Sequence, residues 1–286
     1  MVNQRSAGWR RLAYAGARYG PGFWVRYSPA LFGVAFACAL PKERRRIRDN
    51  LERLRGARDP ISNRVDVLRT FVTFAHCLAE SLAIERPEAQ RAQPVVYGGE
   101  HLRAALDRGR GAVVVTAHAG AWDTAARWLG RDYRANVWVV MAPEDDHGAR
   151  ELHDAARRRG GVRVVHAGRH PLDALPLLRH LRQGGVVAVQ LDRPVDPTTA
   201  LAVELGGRPF TVPAGPFQLA ALSGSPVVPV FAKRLGYFRY ELRVNPPIPV
   251  PARAKRAELA RAAELAVRDM ERFLRENPTQ WFHFAG

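Results

Sequence analysis

A chain of 286 residues with 47 % hydrophobic and 25 % charged side chains carries enough apolar material for a substantial core, which excludes a disordered or low-complexity protein. Its net charge of +17 rests on 44 basic residues, and only Lys42, Lys233 and Lys255 among them are lysine. An arginine bias of this kind arises from GC-rich coding as readily as from anion binding. What remains favours an anionic surface or a phosphate-bearing ligand as partner. Nucleic acid is disfavoured, because no zinc finger, RNP-like strand or basic zipper is present.

The N-terminus is basic, but no apolar run with a small-residue cleavage site follows, so no cleavable signal is expected. The stretch GWRRLAYAGARYGPGFWVRY interleaves arginines with Trp9, Tyr14, Tyr19, Phe23, Trp24 and Tyr27. Such side chains suit a headgroup layer, where one end is wet and the other apolar; the other reading is a helix that covers the core. The apolar run 29–40 is shorter than the roughly 20 residues that span a bilayer. Gly20, Pro21, Gly22 and Pro29 break the region. A charged helix is predicted over 42–55, with Ile47, Leu51 and Leu54 on one face. A second, about 63–85, carries Val67, Phe71, Phe74, Leu78 and Leu82, and RPEAQRAQP reads as a loop. Cys77 in that second helix reads as a small core residue. With Cys38 it makes neither a disulfide framework nor a metal-ligand spacing, so no metal is expected.

From residue 95 short valine-rich runs alternate with helix-length segments. PVVYG, AVVVTAH, NVWVVMA, VRVVHAG, VVAVQLD, SPVVPVFAKR and YELRVNPPI read as strands covered on both faces. Helices are predicted at 122–130, 148–160, 171–183, 213–223 and about 255–276, the last ended by Asn277-Pro278. The expected fold is α/β: a central, mostly parallel or mixed sheet with helices on both faces, preceded by an N-terminal helical region. The expected division is a helical, membrane-interfacial region over 1–90 and an α/β domain over 91–286, packed as one unit.

In sheets of this class reactive groups stand beyond the carboxyl ends of strands. His118 stands there, after AVVVTA, and so does Asp192, which ends VVAVQLD. Asp123 falls in the first turn of the helix after His118. Folded back onto Nδ1, its carboxylate would fix the imidazole tautomer and leave Nε2 as a base. The same spacing also suits a plain helix cap beside a loop histidine. No serine or cysteine nucleophile accompanies the pair, so a base here would activate the substrate's own hydroxyl or amine.

H-x4-D after an apolar strand resembles the first motif of the glycerolipid and lysophospholipid acyltransferases. RRRIRDNLERL, ARRRGGVRVV, LRQGGVVAVQLDR, VELGGRPFTVPAGPFQLAALSGSPVVPVFAKR and ENPTQWFHF follow in order from about residue 40. They are similar to the bacterial branch holding the lipid A lauroyl- and myristoyl-transferases and the phosphatidylinositol mannoside acyltransferases. The resemblance implies an acyltransferase that moves a fatty acyl group from acyl-CoA or an acyl carrier protein to a lipid or other hydroxyl acceptor. No cofactor beyond the thioester co-substrate is implied. His118 would be the general base and Asp123 its orienting acid, with Asp192 a supporting acid or an acceptor contact. Arg157 and Arg159 would serve as oxyanion or phosphate contacts. Glu204 lies in a stretch that resembles the strand and turn before a substrate-lining loop, and Gly206-Gly207 suggests a hairpin. His76 and His283 read as structural. The implied location is the cytoplasmic face of the inner membrane, held peripherally on an anionic surface. A soluble acyltransferase of a specialised-metabolite pathway, or a non-catalytic basic membrane- or nucleic-acid-binding protein, are the alternatives. The broken N-terminus and the weakly acidic LDRPVDPTT depart from the family pattern and bear on the acceptor.

Overall fold

The computed structural model describes residues 14–141, 162–166, 171–194 and 198–284. Residues 14–19 are helical. Three longer helices follow: α1 (Gly22–Ala39), α2 (Pro41–Arg55) and α3 (Pro60–Leu82). α3 starts where Pro60 supplies a preset φ and the Asp59 carboxylate accepts from Ser62 N–H at 2.9 Å, satisfying a donor that the first turn leaves open. Helix α2 buries Ile47, Leu51 and Leu54, the stripe expected from its spacing.

The expected break at Pro29 does not occur. Pro29 is buried inside α1, which continues for 18 residues. Its inward face is made of small residues, Ser28, Gly33 and Ala37 among them, and a Cβ added at Gly33 would lie 2.6 Å from Val72 Cα on α3. The two helices thus approach almost backbone to backbone. Large side chains are left on the outward face.

After a short helix α4 (Pro87–Arg91), inside the segment read as a loop, comes the sheet. Its elements are β1 (Val95–Tyr97), α5 (Gly99–Leu106), β2 (Ala112–Thr116), α6 (Trp122–Asp132), β3 (Val137–Met141) and β4 (Arg163–His166). They continue with a 3-10 turn (Pro171–Asp173), α7 (Ala174–Arg182), β5 (Val186–Gln190), β6 (Leu201–Leu205), β7 (Arg208–Val212) and α8 (Gly215–Ser223). The chain closes through β8 (Val227–Gly236), β9 (Arg239–Val244), α9 (Arg256–Glu276) and a second 3-10 turn (Pro278–Gln280). Seven strands form one sheet in the order β1-β9-β8-β2-β5-β3-β4, parallel except where β8 meets β9. β6 and β7 form a separate hairpin about Gly206 and Gly207, both at positive φ, as that dipeptide indicated.

The valine runs are apolar at every position because both faces of the sheet are covered. On β2, Val113 and Val115 enter the core shared with Phe217 of α8 and Met270 and Phe273 of α9. Ala112 and Val114 enter the opposite core, with Trp128 and Leu129 of α6. Successive strand side chains point to opposite faces, so burial on both requires a continuous apolar sequence. The predicted helix over 148–160 lies outside the described residues.

Candidate active site

β2 and β5 are neighbours, parallel and in register, with Thr116 opposite Gln190. Two residues beyond that pair the loops carry His118 and Asp192. Leu191 N–H donates to Thr116 C=O at 2.7 Å, which holds the two exits side by side. Equal spacing past a paired position therefore places the imidazole against the carboxylate. His118 Nδ1 lies 2.8 Å from Asp192 Oδ1. The His118 backbone N–H lies 3.1 Å from each carboxylate oxygen, and Trp281 Nε1–H donates to Oδ2 at 3.0 Å. The Asp192 side chain is fully buried, whereas the imidazole keeps 16 % of its surface exposed.

Burial alone would push the Asp192 carboxyl up. The imidazole of His118 outweighs it by charge and hydrogen bond, helped by the charge of Arg193, and the group is held well below the usual carboxylate range. An ionised carboxylate only accepts, so the proton in the 2.8 Å contact sits on Nδ1, and Nε2 is the ring nitrogen that Asp192 does not hold. Trp122 meets the outer side of the ring edge-on, with centroids 5.1 Å apart.

The segment after α9 grips the turn that bears the histidine. Phe282 N–H donates to His118 C=O at 2.7 Å, Gly120 N–H donates to Gln280 C=O at 2.8 Å, and Ala119 and Trp281 form a β-bridge. The Gln280 side chain accepts from Arg234 N–H at 2.8 Å and donates to Arg234 C=O at 2.9 Å, which ties the same segment to β8. Gly120 has φ +51°, and a Cβ there would lie 2.2 Å from Ala232 C=O, so the turn admits only glycine.

The orienting carboxylate is a correction to the sequence reading. Asp123 was expected on Nδ1, but Asp192 occupies that seat. Asp123 lies in the first turn of α6 and lines a cavity between α6 and the sheet. That cavity is walled by Val114, Ala125, Ala126, Leu129, Val139 and Ala188, and Thr116 and Gln190 also line it. Trp122 belongs both to the cavity wall and to the histidine's surroundings.

Arg157 and Arg159 lie outside the described residues. Glu204 is exposed on the β6–β7 hairpin. Burial pushes the Cys77 thiol up, which opposes a nucleophilic role. His283 does not sit apart from the site: its ring stacks on Trp281 at 5.3 Å, and burial, against the opposing pull of Asp192, lowers it to about 4, so it is neutral. Sequence reasoning missed Trp281 and Gln280. Both lie in the closing ENPTQWFHF that resembles the family, but nothing local to that stretch points to the strand ends it reaches.

Residues 13–285 match the profile of the bacterial lipid A biosynthesis acyltransferase family. The chain is similar to a phosphatidylinositol mannoside acyltransferase of Mycobacterium tuberculosis (strain ATCC 25618 / H37Rv), 30 % identical over 146 residues. That alignment takes in 50 % of this chain and 45 % of the relative, so it spans about half the length of each. It is also similar to the phosphatidylinositol mannoside acyltransferase of Mycolicibacterium smegmatis (strain ATCC 700084 / mc(2)155), 27 % identical over 235 residues, 79 % of this chain and 72 % of the relative. The profile covers almost the whole chain, and this protein belongs to the bacterial lipid A biosynthesis acyltransferase family.

Proposed function

We propose that the protein moves a fatty acyl group from an acyl thioester, on coenzyme A or an acyl carrier protein, to a hydroxyl of a lipid or glycolipid acceptor. The observation that carries this reading is the His118–Asp192 pair at the mouth of the β2 and β5 exits, with its Nδ1 held and its Nε2 left over.

Nε2 takes the proton of the acceptor hydroxyl as its oxygen bonds to the thioester carbonyl carbon. The imidazolium that forms is stabilised by the Asp192 carboxylate 2.8 Å from Nδ1. The tetrahedral oxyanion then collapses, the C–S bond breaks, and the thiolate leaves with the proton that Nε2 had taken. No acyl-enzyme is formed. The oxyanion calls for donors aimed at it, and Arg157 and Arg159 are the candidates that the family resemblance supplies. The cavity beneath α6 has a mostly apolar lining, and its wall includes Trp122, which meets the imidazole edge-on. An acyl chain with its thioester end at His118 would lie on this side of the site and widen the cavity as it binds. Asp123, on the same wall, would act on the bound chain or its polar head rather than on the imidazole.

A lipid acceptor is favoured by α1. Phe23, Tyr27, Leu31 and Val34 recur at helical spacing and are 65, 61, 73 and 41 % exposed, an apolar stripe that the fold leaves uncovered. Among the described residues no single helix is long and apolar enough to cross a membrane. A helix lying in the headgroup layer, with the net charge of +17 drawn to anionic lipid, would bring the acceptor to the site. The implied location is the cytoplasmic face of the inner membrane, held peripherally. The relatives named for phosphatidylinositol mannosides point to a glycolipid acceptor.

The test is thiol release from acyl-CoA and from acyl carrier thioesters, with and without a lipid extract as acceptor source. Direct transfer predicts release that depends on the extract and an acyl-lipid product in equal amount. Stoichiometric release without acceptor, with the acyl group retained on the protein, would overturn it.

A further inference from the structure

The segment that follows α9 reaches back to the buried carboxylate of the site. We infer that Trp281 is a positioning residue for the reaction: its indole N–H, 3.0 Å from Asp192 Oδ2, takes up part of the carboxylate's charge and so sets how strongly Asp192 draws the proton on His118. The inference rests on the reading of His118 as general base.

The geometry gives the bond its leverage. Trp281 is 1 % exposed, and its ring is fixed by the stack on His283 and by the β-bridge to Ala119. The indole therefore has no freedom to leave the carboxylate. The groups facing Asp192 are His118, through Nδ1 and its backbone N–H, Trp281 through Nε1, the nearby Arg193 guanidinium and the neutral His283 ring. Of the donors that are not His118's own, only the indole makes a hydrogen bond to the carboxylate among the described residues. A neutral donor on Oδ2 competes with the imidazole on Oδ1 for the same charge. Without it the charge falls more fully on the imidazolium, which then persists to higher pH and returns a smaller fraction of free base at neutral pH.

Trp281→Phe keeps an aromatic ring and removes the N–H. The expected result is a rate on the acid side of the limb lowered about threefold to tenfold with KM within twofold, and the acid limb of the kcat/KM profile moved to higher pH by roughly 0.5–1 unit. A purely packing role would lower the melting temperature and leave the limb in place, which would overturn the inference. If Trp281→Phe fails to fold, 3-benzothienylalanine at the same position replaces N–H by sulfur at nearly constant shape and carries the same expectation. Should His118→Ala prove fully active, the base reading fails by itself. The inference is then decided in the ligand-free protein, by ¹⁵N NMR titration of the His118 ring with and without the indole N–H: a displaced titration upholds it, and superimposed curves sink it.

Discussion

Replacing Asp192 by asparagine tests the arrangement at its narrowest point. In the native site Oδ1 accepts from His118 Nδ1, Oδ2 accepts from Trp281 Nε1, and both accept from the His118 backbone N–H. An amide offers one oxygen and one NH2, so it cannot satisfy donors on both sides. With its oxygen toward His118, the NH2 group meets the indole N–H, donor against donor, and no charge remains to stabilise the imidazolium. With its oxygen toward Trp281, the NH2 group faces Nδ1 and the imidazole moves its proton to Nε2, where it can no longer act as a base. Each outcome removes transition-state stabilisation, and hydrogen bonds to ionised groups contribute about 1.5–3 kcal/mol apiece. Loss of the charged bond on Nδ1 amounts to roughly 1.5–3 kcal/mol, or about 10–10² in rate at 1.36 kcal/mol per decade. The assay is initial thiol release at saturating thioester and acceptor, with circular dichroism to confirm the fold. A folded Asp192→Asn protein within threefold of the native rate would refute the reasoning.

Two further outcomes follow from the same geometry. Asp123→Asn should slow transfer while leaving the acid limb of the kcat/KM profile where it is, since Asp192 holds the Nδ1 seat; a displaced limb would return Asp123 to the imidazole. Leu31→Glu, at a position 73 % exposed, should leave the melting temperature nearly unchanged and weaken binding to anionic phospholipid vesicles by roughly tenfold to a hundredfold, the cost of withdrawing a leucine from an apolar phase. Unchanged vesicle binding in a sedimentation assay would remove α1 from the membrane contact.

Most of the architecture was legible because valine runs buried on two faces and helices with one apolar stripe leave distinct periods in a sequence. The seven runs read as strands are the seven strands of the sheet, and Gly206-Gly207 turns a hairpin. Helix α4 was missed because five residues are too few to show a period, and α5 because eight residues hold scarcely two turns. Pro29 was misread: proline lacks a donor, but on α1 its small neighbours seat it against α3 and the helix runs through it. At the site, sequence proximity favoured Asp123, five residues from His118. Pairing across strands decided otherwise, for the 74 residues between His118 and Asp192 are spanned by the in-register contact of β2 with β5, and strand order is not written in local periodicity. Trp281 was hidden for the same reason. It reaches Asp192 across 89 residues, from the closing ENPTQWFHF, which carried the family resemblance but no residue role.

The most direct measurement is the rate of acyl transfer by His118→Ala, with donor and acceptor both saturating and the fold verified. Deprotonation of the acceptor by Nε2 predicts a fall on the order of 10²–10⁴, with binding of the thioester little changed. Transfer at the native rate by the folded variant would contradict the account.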